Sequence, residues 1–344
     1  MLNSSPNSNG RVCTTQILDG FDRGSIDRAV SVLHSGGLVA FPTETVYGLG
    51  ADGLNSESVA KIFEAKGRPS TNPLILHVSS INVAESLVRK WTDLAQKLAD
   101  KFWPGPLTII LPASGIVPEI VRAGNPTVAL RCPNHQIALE LLTSFDGPLA
   151  APSANKTTET SPTKPEHVLN SLAGKVDLIL DGGRTVAGIE STIINLAETP
   201  PRLLRPGPIC PKELEEIVGK LSRFEGTVPT EIAQIAPGMS QRHYAPKARL
   251  TIHEATELVT HYNELKQNTK EKIVAVVFGS EVALPPNCDH RRLPLEPYGA
   301  SARLYAVLHD LDSQGYQEVL FQKPPLTEDW LAVTDRLSRA ADGG

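Results

Sequence analysis

Lys66-Gly67-Arg68-Pro69-Ser70-Thr71-Asn72-Pro73-Leu74-Ile75-Leu76-His77 is the stretch that decides the fold. It closes a helical pattern, turns through a proline-bounded polar loop and enters an apolar strand that ends in histidine. The loop offers a polyanion a point charge, a guanidinium fork and free backbone donors. Upstream, Phe41-Pro42-Thr43-Glu44-Thr45-Val46-Tyr47-Gly48 is a second polar turn leaving an apolar strand. Two such turns close together point to a nucleotide site.

Outward from this stretch, Ser25 and Ser56 open helices. Ile26, Ala29, Val30 and Leu33 share one face of the first, and Val59, Ala60, Ile62 and Phe63 one face of the second. The second helix delivers Lys66 and Arg68 at its negative end, so the helix dipole adds nothing to anion binding there. Strands are expected at 38–41, 73–78, 107–111, 127–132, 149–152, 176–180 and 191–196. Helices are expected at 92–103, 134–145, 165–172 and 212–221. Strands and helices mix without a strict β-α-β beat, so the fold class is α/β of mixed α+β type, with a twisted mixed sheet. Beyond a Gly-, Pro- and Gln-rich linker, strands at 249–253, 272–278 and 318–322 alternate with helices at 256–267, 300–311 and 328–341. That alternation predicts a smaller parallel α/β domain. The expected division is a disordered tail over 1–21, a catalytic domain over 22–210, a helix and linker or lid over 211–247, and a C-terminal domain over 248–344.

At 344 residues the chain is long for one core, which agrees with two domains. A net charge of −5 and only 5% aromatic residues argue against RNA as the main ligand. Cys13, Cys132, Cys210 and Cys288 form no Cys-x-x-Cys pair, so neither a zinc site nor a disulfide framework follows. Reduced cysteines, the absence of a long apolar run and the lack of a secretory signal predict a cytoplasmic protein without a membrane anchor.

Gly48, Gly50 and Gly53 match the dinucleotide fingerprint in letters. The fingerprint needs its first glycine directly after a strand, and here Pro42 to Tyr47 intervene. No Walker-type loop and no Gly-x-Ser-x-Gly elbow occur. Arg131 lies within an apolar strand and needs an anionic partner, either a protein carboxylate or a substrate one. Pro152-Ser153-Ala154-Asn155, Asp181-Gly182-Gly183-Arg184, Gly188-Ile189-Glu190-Ser191-Thr192 and Arg205-Pro206-Gly207 are polar loops at strand ends. Together they read as one cleft lined from several sides.

These motifs resemble the threonylcarbamoyl-AMP synthase family in its long form, with a YrdC-like catalytic domain and a C-terminal domain. The resemblance is carried by Pro42 to Leu49, Lys66-Gly67-Arg68-Pro69, Asn72-Pro73-Leu74, Trp103-Pro104-Gly105-Pro106-Leu107-Thr108, Pro152 to Asn155, Glu190-Ser191-Thr192 and Leu204-Arg205-Pro206-Gly207. The linker residues Pro237-Gly238-Met239 and Arg242-His243-Tyr244-Ala245-Pro246 carry it further. The resemblance implies that L-threonine, bicarbonate and ATP give threonylcarbamoyl-AMP and pyrophosphate. The product would pass to downstream threonylcarbamoyl transferase machinery acting on tRNA. By position it implies that Thr45, His77, Arg131, Ala151 and Ser191 surround threonine. Arg68, Asn72, Thr127, Ser153, Ser161, Arg205 and Gln241 would hold ATP, with Lys66 and Arg68 as the catalytic cations. Mg2+ would accompany ATP through phosphate oxygens and water, with no protein metal cage. The linker is expected to close over the cleft as a lid. Gln241 stands where the family commonly has tyrosine, so either the lid is weaker or Tyr244 and His243 do more of the closing.

Overall fold

The computed structural model describes residues 14–224, 226–229, 232–239 and 244–341. Among these, two sheets organise the chain. The larger has eleven strands. In spatial order they are Gln16–Asp19, Leu178–Asp181, Val39–Phe41, Gly48–Asp52, Leu149–Ala150, Ile75–His77, Thr127–Arg131, Leu107–Pro112, Thr192–Asn195, Arg202–Arg205 and Ser222–Arg223. Parallel and antiparallel pairs mix as expected. Ile75–His77 runs parallel to Thr127–Arg131, which runs antiparallel to Leu107–Pro112.

Helices cover both faces. Ser56–Lys66, Asp93–Phe102 and Pro165–Leu172 send Val59, Ile62, Leu98, Val168 and Leu172 into the largest apolar cluster. Arg23–His34 and Gln136–Phe145 put Ile26, Leu33, Leu141 and Phe145 into another. A third cluster sets the linker residues Ala236 and Met239 against Ile75, Ala129, Ile193 and Leu204. The linker is therefore packed onto the central strands and is not a free spacer.

Three expectations are corrected. Residues 1–13 of the proposed tail lie outside the described residues, but 14–21 do not form a tail. Gln16–Asp19 adds to the sheet edge parallel to Leu178–Asp181, and the Thr15 hydroxyl donates to the Val176 carbonyl at 2.7 Å. Main-chain pairing outweighs the polar composition there. The first helix is capped by Asp22 and not by Ser25, and the second, which begins at Ser56 as expected, is capped by Asn55; both side chains accept from backbone amides. Gly48–Asp52 is itself a strand, antiparallel to Val39–Phe41. A Cβ on Gly50 would lie 2.8 Å from the Phe41 ring, so this glycine serves close strand packing and not a phosphate turn.

The smaller sheet is wholly parallel, in the order Arg249–His253, Glu318–Gln322, Ile273–Phe278, His290–Leu293. Helices Ala255–Asn268, Pro297–Ser313 and Leu331–Ala340 complete it. Its principal core takes in Val46 and Ile189 from the loops of the first domain. The approach is close. A Cβ on Gly188, whose φ is +71°, would lie 2.6 Å from the Ala302 carbonyl oxygen.

The same seam holds a histidine pair. The rings of His167 and His309 stack at 3.8 Å, and His309 Nε2 lies 3.0 Å from the Ser161 carbonyl oxygen. Burial, the neighbouring His309 ring, Lys164 and Arg184 push His167 down to about 3. Burial also lowers His309, against the opposing pull of Ser161, Asp312, Glu159 and Asp310. In the unfolded chain a histidine titrates near 6.5, so below that pH the unfolded state takes up protons that the folded seam refuses. Stability should therefore fall as pH drops from about 6.5 towards about 3. Melting temperatures across this range should fall less steeply for His309→Gln than for the wild type. Parallel slopes would refute the assignment.

Candidate active site

The cleft is built from strand ends. Parallel pairing in register places His77 opposite Arg131, so both side chains emerge on one face. The two line a cleft together with Thr43, Val46, Gly48, Arg68, Ala151, Ser153, Glu190, Ser191, Arg205, Pro237, Gly238 and Tyr244. Burial, followed by repulsion from Arg131, pushes His77 down to about 3, so its ring is neutral. Its Nδ1 has no hydrogen-bond partner among the described residues. A neutral ring with an open nitrogen offers one hydrogen bond to a ligand.

Arg131 has a protein carboxylate as its partner. Its Nη2 lies 2.8 Å from Glu44 Oε1, and its Nε donates to the Gly105 carbonyl at 3.3 Å. Both side chains are largely buried, and neither Glu44 oxygen has an aligned hydrogen bond. The contact is one of charge more than of geometry.

On the other side of the cleft, Arg68 owes its aim to the helix end before it. Gly67 adopts φ 60°, reversing the chain, and the Arg68 amide closes onto the Phe63 carbonyl at 2.9 Å. The guanidinium then donates from Nη2 to Asn72 Oδ1 at 2.5 Å and to the Pro73 carbonyl at 2.8 Å. Asn72 thus acts on Arg68 instead of lining the cleft itself. Burial lowers Arg68 to about 9, and Arg205 pushes the same way, yet the group stays charged at neutral pH. Arg205 donates from Nε to the Ser191 carbonyl at 3.0 Å and from Nη2 to Ser191 Oγ at 3.1 Å. Ser191 Oγ in turn lies 2.7 Å from Thr108 Oγ1. A Cβ on Gly207 would meet the Thr192 amide at 2.4 Å, so only glycine lets the Arg205 strand turn away here.

Arg68 and Arg205 have no carboxylate within ion-pair distance among the described residues. Glu190 is the one carboxylate lining the cleft among them. Its Oε1 accepts from Ser161 Oγ, and its Oε2 from Tyr305 and from Arg336 at 2.8 Å. Despite burial, Arg336, Arg205 and these hydrogen bonds hold its carboxyl down to about 2.

Of the residues expected from sequence, Arg68, His77, Arg131, Ala151, Ser153, Ser191 and Arg205 line the cleft. Thr45 is buried just behind it, its hydroxyl 2.8 Å from that of Thr43. Ser161 is buried beneath Glu190. Thr127 stands at the far end of its strand, beside Pro112. Lys66 is turned away. Its ammonium is buried on the carbonyls of Ser153 (2.5 Å) and Asn155, and burial followed by the nearby Arg68 sharply lowers its proton affinity. Gln241 and His243 lie outside the described residues. Pro237, Gly238 and Tyr244 of the linker line the cleft. Glu44, Thr43 and Thr108 were passed over. Glu44 carried a usable signal, being an acid in a strand-end turn of the same domain as an unpaired arginine.

Similarity to known proteins agrees with this geometry. A family model described as "Telomere recombination" (Sua5, YciO, YrdC) matches residues 31–207. Another, described as "Threonylcarbamoyl-AMP synthase, C-terminal domain", matches residues 209–342. The chain is 41% identical to threonylcarbamoyl-AMP synthase of Bacillus subtilis, over 92% of this chain and 93% of that one. It is 47% identical to the protein of that name from Pyrococcus abyssi, over 66% of this chain and 67% of the relative. The crystal structure of P. abyssi Sua5 complexed with L-threonine superposes with a TM-score of 0.87 at 36% identity, covering 96% and 98% of the two chains. With its two domains matched in order and a relative similar over nearly its whole length, the chain belongs to the threonylcarbamoyl-AMP synthase family.

Proposed function

We propose that this protein is a nucleotidyltransferase that makes threonylcarbamoyl-AMP and pyrophosphate from L-threonine, bicarbonate and ATP. The observation that carries the proposal is the sorting of charge in one cleft. Three buried guanidiniums line it, of which only Arg131 is ion-paired with a carboxylate among the described residues, while Arg68 and Arg205 hydrogen-bond neutral groups. Two guanidiniums without a direct ion pair suit a polyphosphate. Arg131, in register with His77 on the same face of the sheet, is assigned to the carboxylate of the amino acid while it keeps its contact with Glu44.

In this reading the threonine amine condenses with bicarbonate, losing water, to give a carbamate. A carbamate oxygen then attacks the α-phosphate and pyrophosphate leaves. His77 and Ser191 offer hydrogen bonds on the threonine side, while Arg68, Ser153 and Arg205 stabilise charge on the phosphates. Catalysis is then mainly positioning and electrostatics. Mg2+ arriving with ATP supplies further neutralisation of the phosphates. The protein would leave it to phosphate oxygens and water, because Glu190 is already committed to Ser161, Tyr305 and Arg336. The lid would exclude water from a hydrolysable product. The product would serve the threonylcarbamoyladenosine modification of tRNA in the cytoplasm, handed to other proteins. No helix among the described residues is long and apolar enough to cross a membrane.

Pyrophosphate release should require ATP, threonine and bicarbonate together. Release at the full rate without threonine would refute the reading.

A further inference from the structure

Arg336 is fully buried, yet it belongs to the last helix of the C-terminal domain, outside the strand ends that build the cleft. Its Nε holds Glu190 at 2.8 Å, and its Nη1 holds the Pro206 carbonyl at 3.1 Å and Asp335 at 2.7 Å. Its guanidinium lies 5.1 Å from the Tyr244 ring centre, and that ring stacks on Tyr305 at 5.8 Å. Tyr305 hydroxyl reaches the same Glu190 oxygen at 3.0 Å. Stability alone does not call for this arrangement, because well-packed apolar side chains replace buried ion pairs at little or no loss.

The consequence lies in the cleft. Glu190 lines it on the side of Arg205, and Ser191 holds Arg205 through both its carbonyl and its hydroxyl. A carboxylate left free there would compete for the guanidinium meant for a phosphate. We propose that Arg336 and Tyr305 are positioning residues supplied by the C-terminal domain, which bind Glu190 and so keep Arg205 open to the nucleotide. The second domain thus sets the charge of a site that it does not itself line. The other polar groups near Glu190 among the described residues fit this account. Ser161 takes its other oxygen, Tyr244 closes the space above Arg336, and Lys66 is occupied by backbone carbonyls.

This inference rests on the nucleotide reading of the cleft, and binding measurements separate the two. Calorimetry should compare a non-hydrolysable ATP analogue and L-threonine on the full-length wild type, Tyr305→Phe, Arg336→Met and the double variant Arg336→Met/Glu190→Gln. Arg336→Met should weaken the nucleotide on the order of tenfold and leave threonine within about twofold. Tyr305→Phe should weaken the nucleotide by a smaller factor in the same direction. The double variant should regain most of the lost nucleotide affinity, because no carboxylate remains to capture Arg205. Should Arg336→Met fail to fold, Tyr305→Phe and the charge-free double variant still decide the matter. Nucleotide affinity in Tyr305→Phe equal to that of the wild type, or a double variant that binds ATP tenfold more weakly than the wild type, would overturn the clamp. A wild type that binds no nucleotide would overturn the functional reading beneath it.

Discussion

Arg68→Ala is expected to lower kcat/KM for ATP by roughly two to three orders of magnitude, with threonine affinity changed by no more than about twofold. Arg68 is pre-aimed by the Gly67 reversal and held by Asn72 and Pro73, so under the proposed function it would meet the phosphates with little reorganisation. Asn72→Ala should reproduce part of the defect, since it loosens the fork without removing its charge. Arg68→Lys should recover little, because a point charge cannot replace a planar fork gripped at Nε and Nη2. Steady-state kinetics with ATP and threonine varied separately would show the split. An Arg68→Ala enzyme with normal ATP kinetics would remove Arg68 from the phosphate site.

The second large effect concerns Arg131 and joins stability to binding. Arg131→Ala leaves the Glu44 carboxylate buried without its cation, a situation that costs about 3–5 kcal/mol. Threonine binding should fall by roughly ten- to hundredfold at the same time. The two losses can be separated. Arg131→Met/Glu44→Gln removes both charges and should restore most of the denaturation midpoint while threonine affinity stays low. If threonine binds the double variant as well as the wild type, Arg131 does not hold its carboxylate. If Arg131→Ala alone melts like the wild type, Glu44 does not depend on it.

Local signals were legible where the chain's own periodicity decides the structure. The strands Arg249–His253 and Glu318–Gln322 and the helix Pro165–Leu172 fall on their expected bounds. The cleft was legible because its cations stand next to glycines and prolines at strand ends, which mark turns before any contact is known. What stayed hidden depends on distant pairing. Gln16–Asp19 is a strand only because Leu178–Asp181 offers it an edge. Lys66 reads as a phosphate ligand beside Arg68, but carbonyls from the Ser153–Asn155 turn claim it first. The Arg336 partner of Glu190 is a tertiary fact with no local trace, and the Glu44 partner of Arg131 had only the weak signal of an acid in a strand-end turn. For Arg131 the buried charge announced that a partner existed without saying which.

Val46 and Ile189 grow from the catalytic loops yet are wetted or dried by the other lobe. A boundary drawn along the chain is therefore not a line along which the molecule comes apart. Shearing off everything after the linker would bare an oily spot beside Thr45 and strand an acid at Glu190. In this chain the two lobes dry each other, so a change on either shore of the seam is felt on the opposite one.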